Sequence, residues 1–510
     1  MNDLHQKNET SKEDPAKAPP SVLKRWTFRC LAMLLGLSPF LLFELVLVAI
    51  GWQPTNAIRD PYVGFSSVRP LFVLSDNGQR MTIAENRQPL FCDDSFAATK
   101  PTNGFRIFCV GGSTVQGRPF AIDTAFSTWL ELTLNTADAD HQYEVINCGG
   151  VSYASYRLAP IIDELVNYQP DVIILYTGHN EFLEDRTYES IKSQSQLIHD
   201  THGWLSQFRT YSFLRSLTLD DSTAARDPSK PFEMPTEVEA RLDYAGGLEL
   251  YHRDKAWQSG VTEHFEINLQ RIVQSCRAHS VPLLLVKPVS NLKDAKPFKS
   301  QHRADLSEAQ LREFDRLVRL TERDRPPTND ELRQDVIYLN QAVEIDGEFA
   351  LTQFRLGQTY LQLGEFENAK RHFLIAREED ICPLRILSPL EAVIDRTTKR
   401  LNVPSIDAKQ MFESKTTDGI VGAESLVDHV HPSIASHQVL AEALTNKLLE
   451  LKWLPMERNV FTDNVVAKRN RRFQDHLDDI PYLYFELGKD RLKGLERWAT
   501  GAVRKQRVQE

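Results

Sequence analysis

The stretch Phe105–Gly117, FRIFCVGGSTVQG, begins as an apolar run and ends in glycines around a serine. Continuous apolar residues over 105–110 predict a strand that is buried in a sheet. Gly111 and Gly112 allow the backbone to turn sharply where a side chain would clash. The stretch therefore predicts a strand that delivers Ser113, a candidate nucleophile, onto a tight turn. The alternative is an ordinary strand-to-helix loop with a serine near the helix start.

Strands and helices alternate from residue 105 onward. Predicted strands cover 105–110, 143–147, 171–176, 281–286 and 403–406, and predicted helices cover 124–134, 156–168, 262–279, 389–399 and 440–449. This alternation predicts an α/β fold, a flavodoxin-like three-layer sandwich with a parallel five-stranded sheet. Residues 183–250 interrupt the pattern and are interpreted as either a lid over a site or a surface excursion.

The N-terminal region predicts a membrane anchor. Residues 1–23 are polar and predict a disordered cytoplasmic tail. The apolar run 30–52 would reach about 34 Å as a helix at about 1.5 Å per residue, enough for a hydrocarbon core of about 30 Å. The basic flank at 24–29 places the N-terminus in the cytoplasm and the rest outside. Because the run is long and lacks an A-x-A site, we favour an uncleaved anchor over a signal peptide, although Glu44 interrupts it.

The remaining segments complete the predicted organisation. Residues 53–104 predict a linker and lead-in, with strands at 80–83 and 89–91. Residues 105–290 and 401–452 predict the two parts of one α/β domain. Residues 291–400 predict a helical insertion. Within it, 336–380 has the small and large positions of a tetratricopeptide-like unit, a candidate surface for a protein partner. The tail 453–510 predicts a helix that docks on the repeat unit or touches a membrane surface.

Composition excludes several classes of function. The net charge of −10 argues against nucleic acid as a partner. The six cysteines include no CxxC pair, so neither a zinc ribbon nor a thioredoxin-like site is expected. Cys109 and Cys148 are expected to be small buried thiols of the core, so a disulfide framework is not expected either. Gly112–Gly117 has the glycine spacing of a phosphate-binding loop, but Arg118 and Pro119 replace its Lys and Ser/Thr, which excludes nucleotide binding. No cofactor or metal is predicted.

Polar residues follow the predicted strands at the sheet edge where open parallel sheets bind ligands. Ser113 follows the first strand, Asn180 the third, and Asp428 and His431 the fifth. Histidine can take the serine proton and a carboxylate can fix the histidine tautomer. The Ser113 N–H, a glycine N–H near 149 or 150 and the Asn180 amide would stabilise an oxyanion. The sequence thus predicts a serine esterase.

This ordered set resembles the SGNH (GDSL-like) hydrolase superfamily. In that superfamily a nucleophilic serine follows the first strand, a glycine follows the second, an asparagine in a G-x-N-D block follows the third, and a D-x-x-H pair precedes the last helix. Ser113, Asn180, Asp428 and His431 match these positions. The membrane anchor and the tetratricopeptide-like insertion resemble a bacterial membrane-anchored subgroup. The resemblance implies an acyl-enzyme on Ser113.

The chain departs from the superfamily pattern in three blocks. The first reads GGS, and the third reads GHNE with Glu181 in place of the usual aspartate. The second has an extra glycine, so we assign the oxyanion N–H to Gly150, with Gly149 next. Counting from Asn147 without a gap would instead place Ser152 there.

The histidines near Asp428 and the basic segment 299–303 allow alternative roles. His429 could replace His431 as the base, and the HxH pair could ligate a metal, although no third ligand is evident. Lys299, His302 and Arg303 could meet an anionic substrate or could lie on a solvated loop.

The expected function is ester hydrolysis outside the cytoplasm, by a single-pass protein of a bacterial inner membrane with its catalytic domain in the periplasm. The expected substrates are ester-containing, with acylated or acetylated glycans or lipids as the candidates. The alternatives are an O-acyltransferase with the same triad and a non-catalytic tetratricopeptide scaffold.

Overall fold

The computed structural model of the chain describes residues 22–50, 60, 62–65, 69–184, 209–210, 213, 232–234, 238–244 and 246–500. The chain divides into two compact units, residues 1–57 with 196–224 and residues 58–195 with 225–510. Most of the tail predicted at 1–23 and most of the segment 183–250, interpreted as either a lid or a surface excursion, lie outside the described residues.

The first unit contains helix α1 (Val22–Ala49), which covers most of the anchor predicted at 30–52. The carboxylate of Glu44 accepts hydrogen bonds from the backbone N–H groups of Arg209, at 2.9 Å, and Thr210, at 2.8 Å. The acidic residue inside the apolar run is therefore hydrogen-bonded within its own unit. No helix in the described part of the chain has both the length and the apolarity that a membrane span requires.

The second unit carries the remaining elements. Its strands are β1 (Val63–Phe65), β2 (Phe72–Leu74), β3 (Arg80–Ile83), β4 (Ser95–Ala97), β5 (Gly104–Gly111), β6 (Gln142–Gly149), β7 (Val172–Tyr176), β8 (Phe232–Met234), β9 (Leu283–Lys287) and β10 (Ser405–Asp407). Its α-helices are α2 (Ser113–Gln116), α3 (Phe126–Ala137), α4 (Ser155–Leu165), α5 (Lys255–Ala278), α6 (Glu308–Arg319), α7 (Asn329–Ile345), α8 (Ala350–Gln362), α9 (Phe366–Glu378), α10 (Ser388–Arg400), α11 (Ala408–Glu413), α12 (Ile434–Glu450), α13 (Asp463–Asp479) and α14 (Tyr482–Thr500).

The central sheet is parallel, with the strand order β10-β9-β7-β5-β6. If these five strands are numbered 1 to 5 in chain order and the sheet is read from the β6 edge, the order is 2-1-3-4-5, as in doubly wound α/β proteins. The predicted five-stranded parallel sheet is therefore confirmed. Because β5 lies between β6 and β7, the residues that follow β5 stand at the switch point where such sheets bind ligands.

The two faces of β5 explain its continuous apolar sequence. Phe108 and Val110 pack on the face covered by α4, α5 and α10, whereas Ile107 and Cys109 pack on the face covered by α3 and α12. All four side chains are fully buried. Successive side chains of a strand point to opposite faces, so a strand covered on both sides needs no polar alternation.

The lead-in before β5 is a small antiparallel sheet in the order β2-β3-β4. The strand predicted at 80–83 is present as β3. The strand predicted at 89–91 is absent, because only Phe91 makes a bridge, to Gly150. Phe91 belongs to the core on the α4 face, so this short apolar stretch is buried without forming a strand.

The insertion forms consecutive helices, of which α8 and α9 pack side by side. Gly364 ends the turn between them with φ +78°. A Cβ atom at Gly357 would lie 2.8 Å from the ring of Phe373, so the absence of a side chain allows the close approach of the two helices. This is the interlocking expected of a tetratricopeptide-like hairpin. The assignment of a repeat and of its partner stays a prediction.

The basic residues of the segment 299–303 make contacts within the chain. Lys299 Nζ donates to the backbone carbonyls of Leu248, at 2.8 Å, and Tyr251, at 2.7 Å. His302 Nδ1 lies 2.7 Å from the buried carboxylate of Asp346. These contacts hold Lys299 and His302 in place, so the geometry does not favour the anionic-substrate role considered for them.

The C-terminal helix α14 docks on the α/β domain. Tyr484 Oη lies 3.1 Å from Thr124 Oγ1, and the Trp498 indole N–H donates to Asp243 over 2.8 Å. Gly488 lies against the ring of Phe120. The prediction that this helix docks on the repeat unit is therefore wrong. The contacts come from Tyr484, Gly488 and Trp498.

A buried carboxyl on α3 makes stability depend on pH. Burial raises the pKa of Glu131 from 4.5 to about 7, and the negative charges of Asp94 and Glu144 add to the shift. The folded state therefore holds this proton more tightly than the unfolded state, and the free energy of unfolding falls as pH rises from 4.5 to about 7. Glu131 Oε2 accepts the Val145 N–H at 2.9 Å, which a glutamine oxygen can also do.

We therefore expect Glu131→Gln to be more stable than the wild type at pH 8 by about 1–3 kcal/mol, and nearly equal at pH 4.5. Urea unfolding at both pH values measures the difference. The exposed variant Glu263→Gln is the control. An equal stability difference at both pH values would contradict the assignment.

Candidate active site

Ser113 is the first residue of the short helix α2, directly beyond the end of β5. A Cβ atom at Gly112 would lie 2.6 Å from Asn180 Nδ2, so a larger residue here would collide with the loop after β7. The glycine therefore lets two loops at the carboxyl edge of the sheet approach each other closely. The predicted strand-turn-serine arrangement is present.

His431 links Ser113 to Asp428. Its Nε2 lies 2.7 Å from Ser113 Oγ, and its Nδ1 lies 2.6 Å from Asp428 Oδ2. His431 is 3 % exposed. These distances are those of hydrogen bonds, and they form one continuous chain from hydroxyl to imidazole to carboxylate. The structure thus brings Ser113, on one predicted loop, together with Asp428 and His431, on another.

The carboxylate of Asp428 is held ionised. Burial alone would raise its pKa, but the adjacent His431 and His429 and the hydrogen bonds to the carboxylate hold that pKa well below the ordinary value. Asp428 Oδ1 accepts the backbone N–H groups of Val430 and His431, both at 2.8 Å. A carboxylate fixed in this way can orient the imidazole and stabilise the imidazolium.

His429 does not have the geometry of the base. Its Nδ1 lies 3.7 Å from Asp428 Oδ1, and its ring packs edge-on against Phe298 with 5.0 Å between centroids. Burial lowers the pKa of His429 to about 4. Among the described residues, His431 is the histidine that contacts Ser113, and no group of three His, Cys, Asp or Glu residues is arranged to hold a metal ion.

The two glycines after β6 have their backbone N–H groups engaged. The Gly150 N–H donates to the Gly111 carbonyl at 2.9 Å, and the Gly149 N–H donates to Asn147 Oδ1 at 3.0 Å. A Cβ atom at Gly149 would lie 2.2 Å from the backbone nitrogen of Gln116. The glycines thus allow close packing against α2 and the lead-in. Because the Gly150 N–H already has an acceptor, these hydrogen bonds argue against the prediction that it binds the oxyanion.

Ser152 is the better candidate for this oxyanion donor. Of residues 149 to 153, all described, Ser152 alone keeps a backbone N–H that meets no acceptor. Its φ of +63° lies in the left-handed region that favours glycine. A left-handed residue at this place agrees with the ungapped count from Asn147, which puts Ser152 at the position of the glycine in the second block.

Asn180 lies beside the nucleophile turn. Its Nδ2 donates to the Tyr153 carbonyl at 3.0 Å and lies close to Gly112. The next residue, Glu181, is fully buried and accepts the backbone N–H of Ser155 at 2.8 Å and its hydroxyl at 3.0 Å. Glu181 therefore ties the third block to the start of α4, which gives a structural reason for a carboxylate after the asparagine.

Sequence reasoning missed several supporting residues. The Asn147 side chain donates to the Val115 carbonyl and to Ser127 Oγ, both at 2.8 Å, and so holds α2 against β6. The Asn291 N–H donates to the His429 carbonyl at 2.9 Å, and its side chain donates to the Asp428 carbonyl at 3.2 Å. Asn147 ends the predicted strand 143–147 and Asn291 begins the predicted insertion 291–400, and neither position indicates these contacts.

The insertion reaches this site through the segment that follows α9. The fully buried Arg385 donates to the carbonyls of Asn291, at 3.0 Å, and Ala295, at 2.8 Å. The Ile386 N–H donates to Nδ1 of His179, the residue before Asn180, at 3.2 Å. One short segment therefore contacts the loop that carries Asn180 and the loop at 291–295, whose Asn291 in turn donates hydrogen bonds to the loop that carries Asp428.

Comparison with known proteins gives structural matches only, since no family model and no curated protein matches the chain. Similar solved structures include a lipase/acylhydrolase from Enterococcus faecalis, with 10% identity over 68% of this chain and 95% of that chain and a TM-score of 0.30. A GDSL-like lipase from Bacteroides thetaiotaomicron has 8% identity over 70% and 93%, with a TM-score of 0.28. An alpha/beta hydrolase enzyme from the metagenome of Lake Arreo has 11% identity over 68% and 96%, with a TM-score of 0.29.

These neighbours include GDSL-type lipolytic hydrolases, the superfamily that the sequence resembles. At such identities and TM-scores, only the residues of this chain indicate its function.

We expect Asn180→Ala to lower kcat by about 10²- to 10³-fold with little change in KM, because an oxyanion donor acts in the transition state. Steady-state kinetics on p-nitrophenyl acetate measures both constants. Asn459→Ala, on a remote exposed turn, is the control. A rise in KM with kcat unchanged would show that Asn180 binds the ground state instead.

Proposed function

We propose that this protein is a serine ester hydrolase of the SGNH type that forms an acyl-enzyme on Ser113. The observation that carries the proposal is the hydroxyl–imidazole–carboxylate chain, with Ser113 Oγ 2.7 Å from His431 Nε2 and His431 Nδ1 2.6 Å from Asp428. A serine hydroxyl is a weak nucleophile until an adjacent base takes its proton, and this arrangement supplies that base.

The reaction follows from these contacts. His431 Nε2 takes the Ser113 proton as Oγ attacks the ester carbonyl, and the charge on the carbonyl oxygen is stabilised by the backbone N–H groups of Ser113 and Ser152 and the Asn180 amide. His431 then gives the proton to the departing alkoxide, which leaves an ester on Ser113. Water, activated by His431, attacks that ester and releases the acid.

The substrate and the setting are further parts of the proposal. Acylated or acetylated glycans or lipids are proposed as substrates, and a sugar hydroxyl in place of water would make the same triad an O-acyltransferase. From the basic flank and apolar run alone, we propose a periplasmic site on a single-pass inner-membrane anchor. The helical insertion is proposed to bind a protein partner.

Labelling with a fluorophosphonate probe, followed by mass mapping of the modified residue, tests the proposal. The expected result is one adduct on Ser113, present in the exposed control Ser414→Ala and absent from Ser113→Ala. A folded protein that takes up no probe, with a partner recovered by crosslinking through the helical insertion, would favour the non-catalytic scaffold.

A further inference from the structure

Two arginines, Arg118 and Arg491, make hydrogen bonds at the loop that follows the Ser113 turn. The Arg118 N–H donates to the Ser113 carbonyl at 3.1 Å, so its backbone is one turn from the nucleophile. Its side-chain Nε donates to Gln116 Oε1 at 2.9 Å. This bond fixes the guanidinium and leaves its two terminal nitrogens without an acceptor among the described residues.

The second arginine comes from the opposite end of the chain. Arg491, on α14, donates from Nη1 to the carbonyls of Phe120 and Pro119, the two residues that follow Arg118. The packing of Gly488 on Phe120 and the hydrogen bond between Tyr484 and Thr124 hold this helix in place. The docked helix therefore places a second guanidinium on the Arg118 loop.

The electrostatics of this pair are unfavourable as they stand. The chain has 70 acidic and 60 basic residues, yet among the described residues neither Arg118 nor Arg491 has an ion pair with any of those acids. Burial lowers the pKa of Arg118, and the charge of Arg491 lowers it further. Two like charges held together by backbone contacts repel each other, and an anion between them would relieve that repulsion.

We propose that Arg118 and Arg491 form an anion-binding subsite for a phosphate, sulfate or carboxylate group on the substrate. Guanidinium groups bind such oxyanions through paired N–H donors. The role as a substrate subsite rests on the proposed esterase function, since it is the nearness of Ser113 that places the bound anion beside a scissile ester. The preferred substrate is therefore an ester that carries a negative charge a short distance from the acyl group.

Anion binding is tested first without catalysis. Thermal unfolding of the full chain is measured in sodium phosphate, sodium sulfate and sodium chloride at constant ionic strength. Phosphate and sulfate are expected to raise the wild-type midpoint above the chloride value. Arg118→Gln and Arg491→Gln are expected to lose this rise, and Arg118→Lys to keep part of it.

Arg312→Gln, on the exposed face of α6, should behave as the wild type. Because Arg118→Gln leaves α14 untouched, a loss in that variant is not explained by undocking of the helix. Equal anion effects in all variants, or none in the wild type, would overturn the proposal.

Competition then tests the role of the subsite. Phosphate and sulfate should competitively inhibit wild-type hydrolysis of mono-p-nitrophenyl succinate, an ester that carries a carboxylate. Arg118→Gln should raise the inhibition constant at least tenfold while still hydrolysing the neutral ester p-nitrophenyl acetate. Anion binding that does not compete would overturn the assignment to the substrate. If the wild type hydrolyses nothing but its anion-dependent stabilisation needs Arg118, the esterase function fails and the anion site stands.

Discussion

Ser113→Ala is expected to lower kcat for p-nitrophenyl acetate by about 10⁴- to 10⁶-fold, because the acyl-enzyme can no longer form. The substitution removes only the hydroxyl that lies 2.7 Å from His431 Nε2. The backbone N–H of residue 113 remains, so any residual rate above the uncatalysed one reports the oxyanion donors alone. Turnover of the ester over hours, with wild type at matched concentration, gives the ratio.

The comparison has a direct control. Ser414→Ala changes an exposed serine that bonds only within its own turn, and it should keep the wild-type rate. Unfolding midpoints of both variants show that each is folded. Equal rates for the wild type and folded Ser113→Ala would contradict nucleophilic catalysis by this residue.

The second large effect is expected for Asp428→Asn, which should lower kcat by about 10⁴-fold by analogy with the serine-protease triad. The carboxylate accepts the His431 Nδ1–H at 2.6 Å and thereby leaves Nε2 free to take the Ser113 proton. An amide that turns its NH₂ toward Nδ1 would favour the opposite tautomer, with the proton on Nε2. The imidazole could then no longer act as a base toward Ser113.

The pH dependence distinguishes this explanation from a loss of structure. Because the pKa of Asp428 is held well below its usual range, the carboxylate is ionised throughout the neutral range and the wild-type rate should not follow its titration there. The rate of Asp428→Asn should rise toward high pH, where hydroxide can replace the missing base. Asp305→Asn, with a side chain 74% exposed, is the control. A fall of less than tenfold for folded Asp428→Asn would argue against the triad.

The sheet and the triad could be predicted because their signals are local. A strand that is buried on both faces is indicated by a continuous run of apolar residues, and the spacing of Asp428 and His431 puts both on one loop. The oxyanion donor could not be predicted in the same way. Whether the Gly150 N–H is free depends on the Gly111 carbonyl of the neighbouring strand, and the left-handed φ of Ser152 carries no sequence signal when the residue is not glycine.

Contacts between segments that are far apart in the chain could not be predicted from the sequence either. The amphipathic face of α14 predicts that the helix packs, but the face alone does not say against what. The helix packs against the loop at 118–124. The hydrogen bond between Thr124 and Tyr484 joins residues that are 360 positions apart. Likewise, nothing in the sequence shows that the segment after α9 contacts the loop that bears Asn180 and the loop at 291–295.

The contact between Ser113 and His431 joins residues that are 318 positions apart, with the whole helical insertion between them. During synthesis, the nucleophile would therefore leave the ribosome long before its base, and a nascent chain that stops short of residue 428 would carry an inert serine. Bringing Ser113 and His431 together closes a long chain loop, which costs conformational entropy before the contact forms. Folding of the insertion between them would shorten that loop, so we expect the active site to form only after the insertion has folded. The order of translation would then delay hydrolysis until the chain is nearly complete.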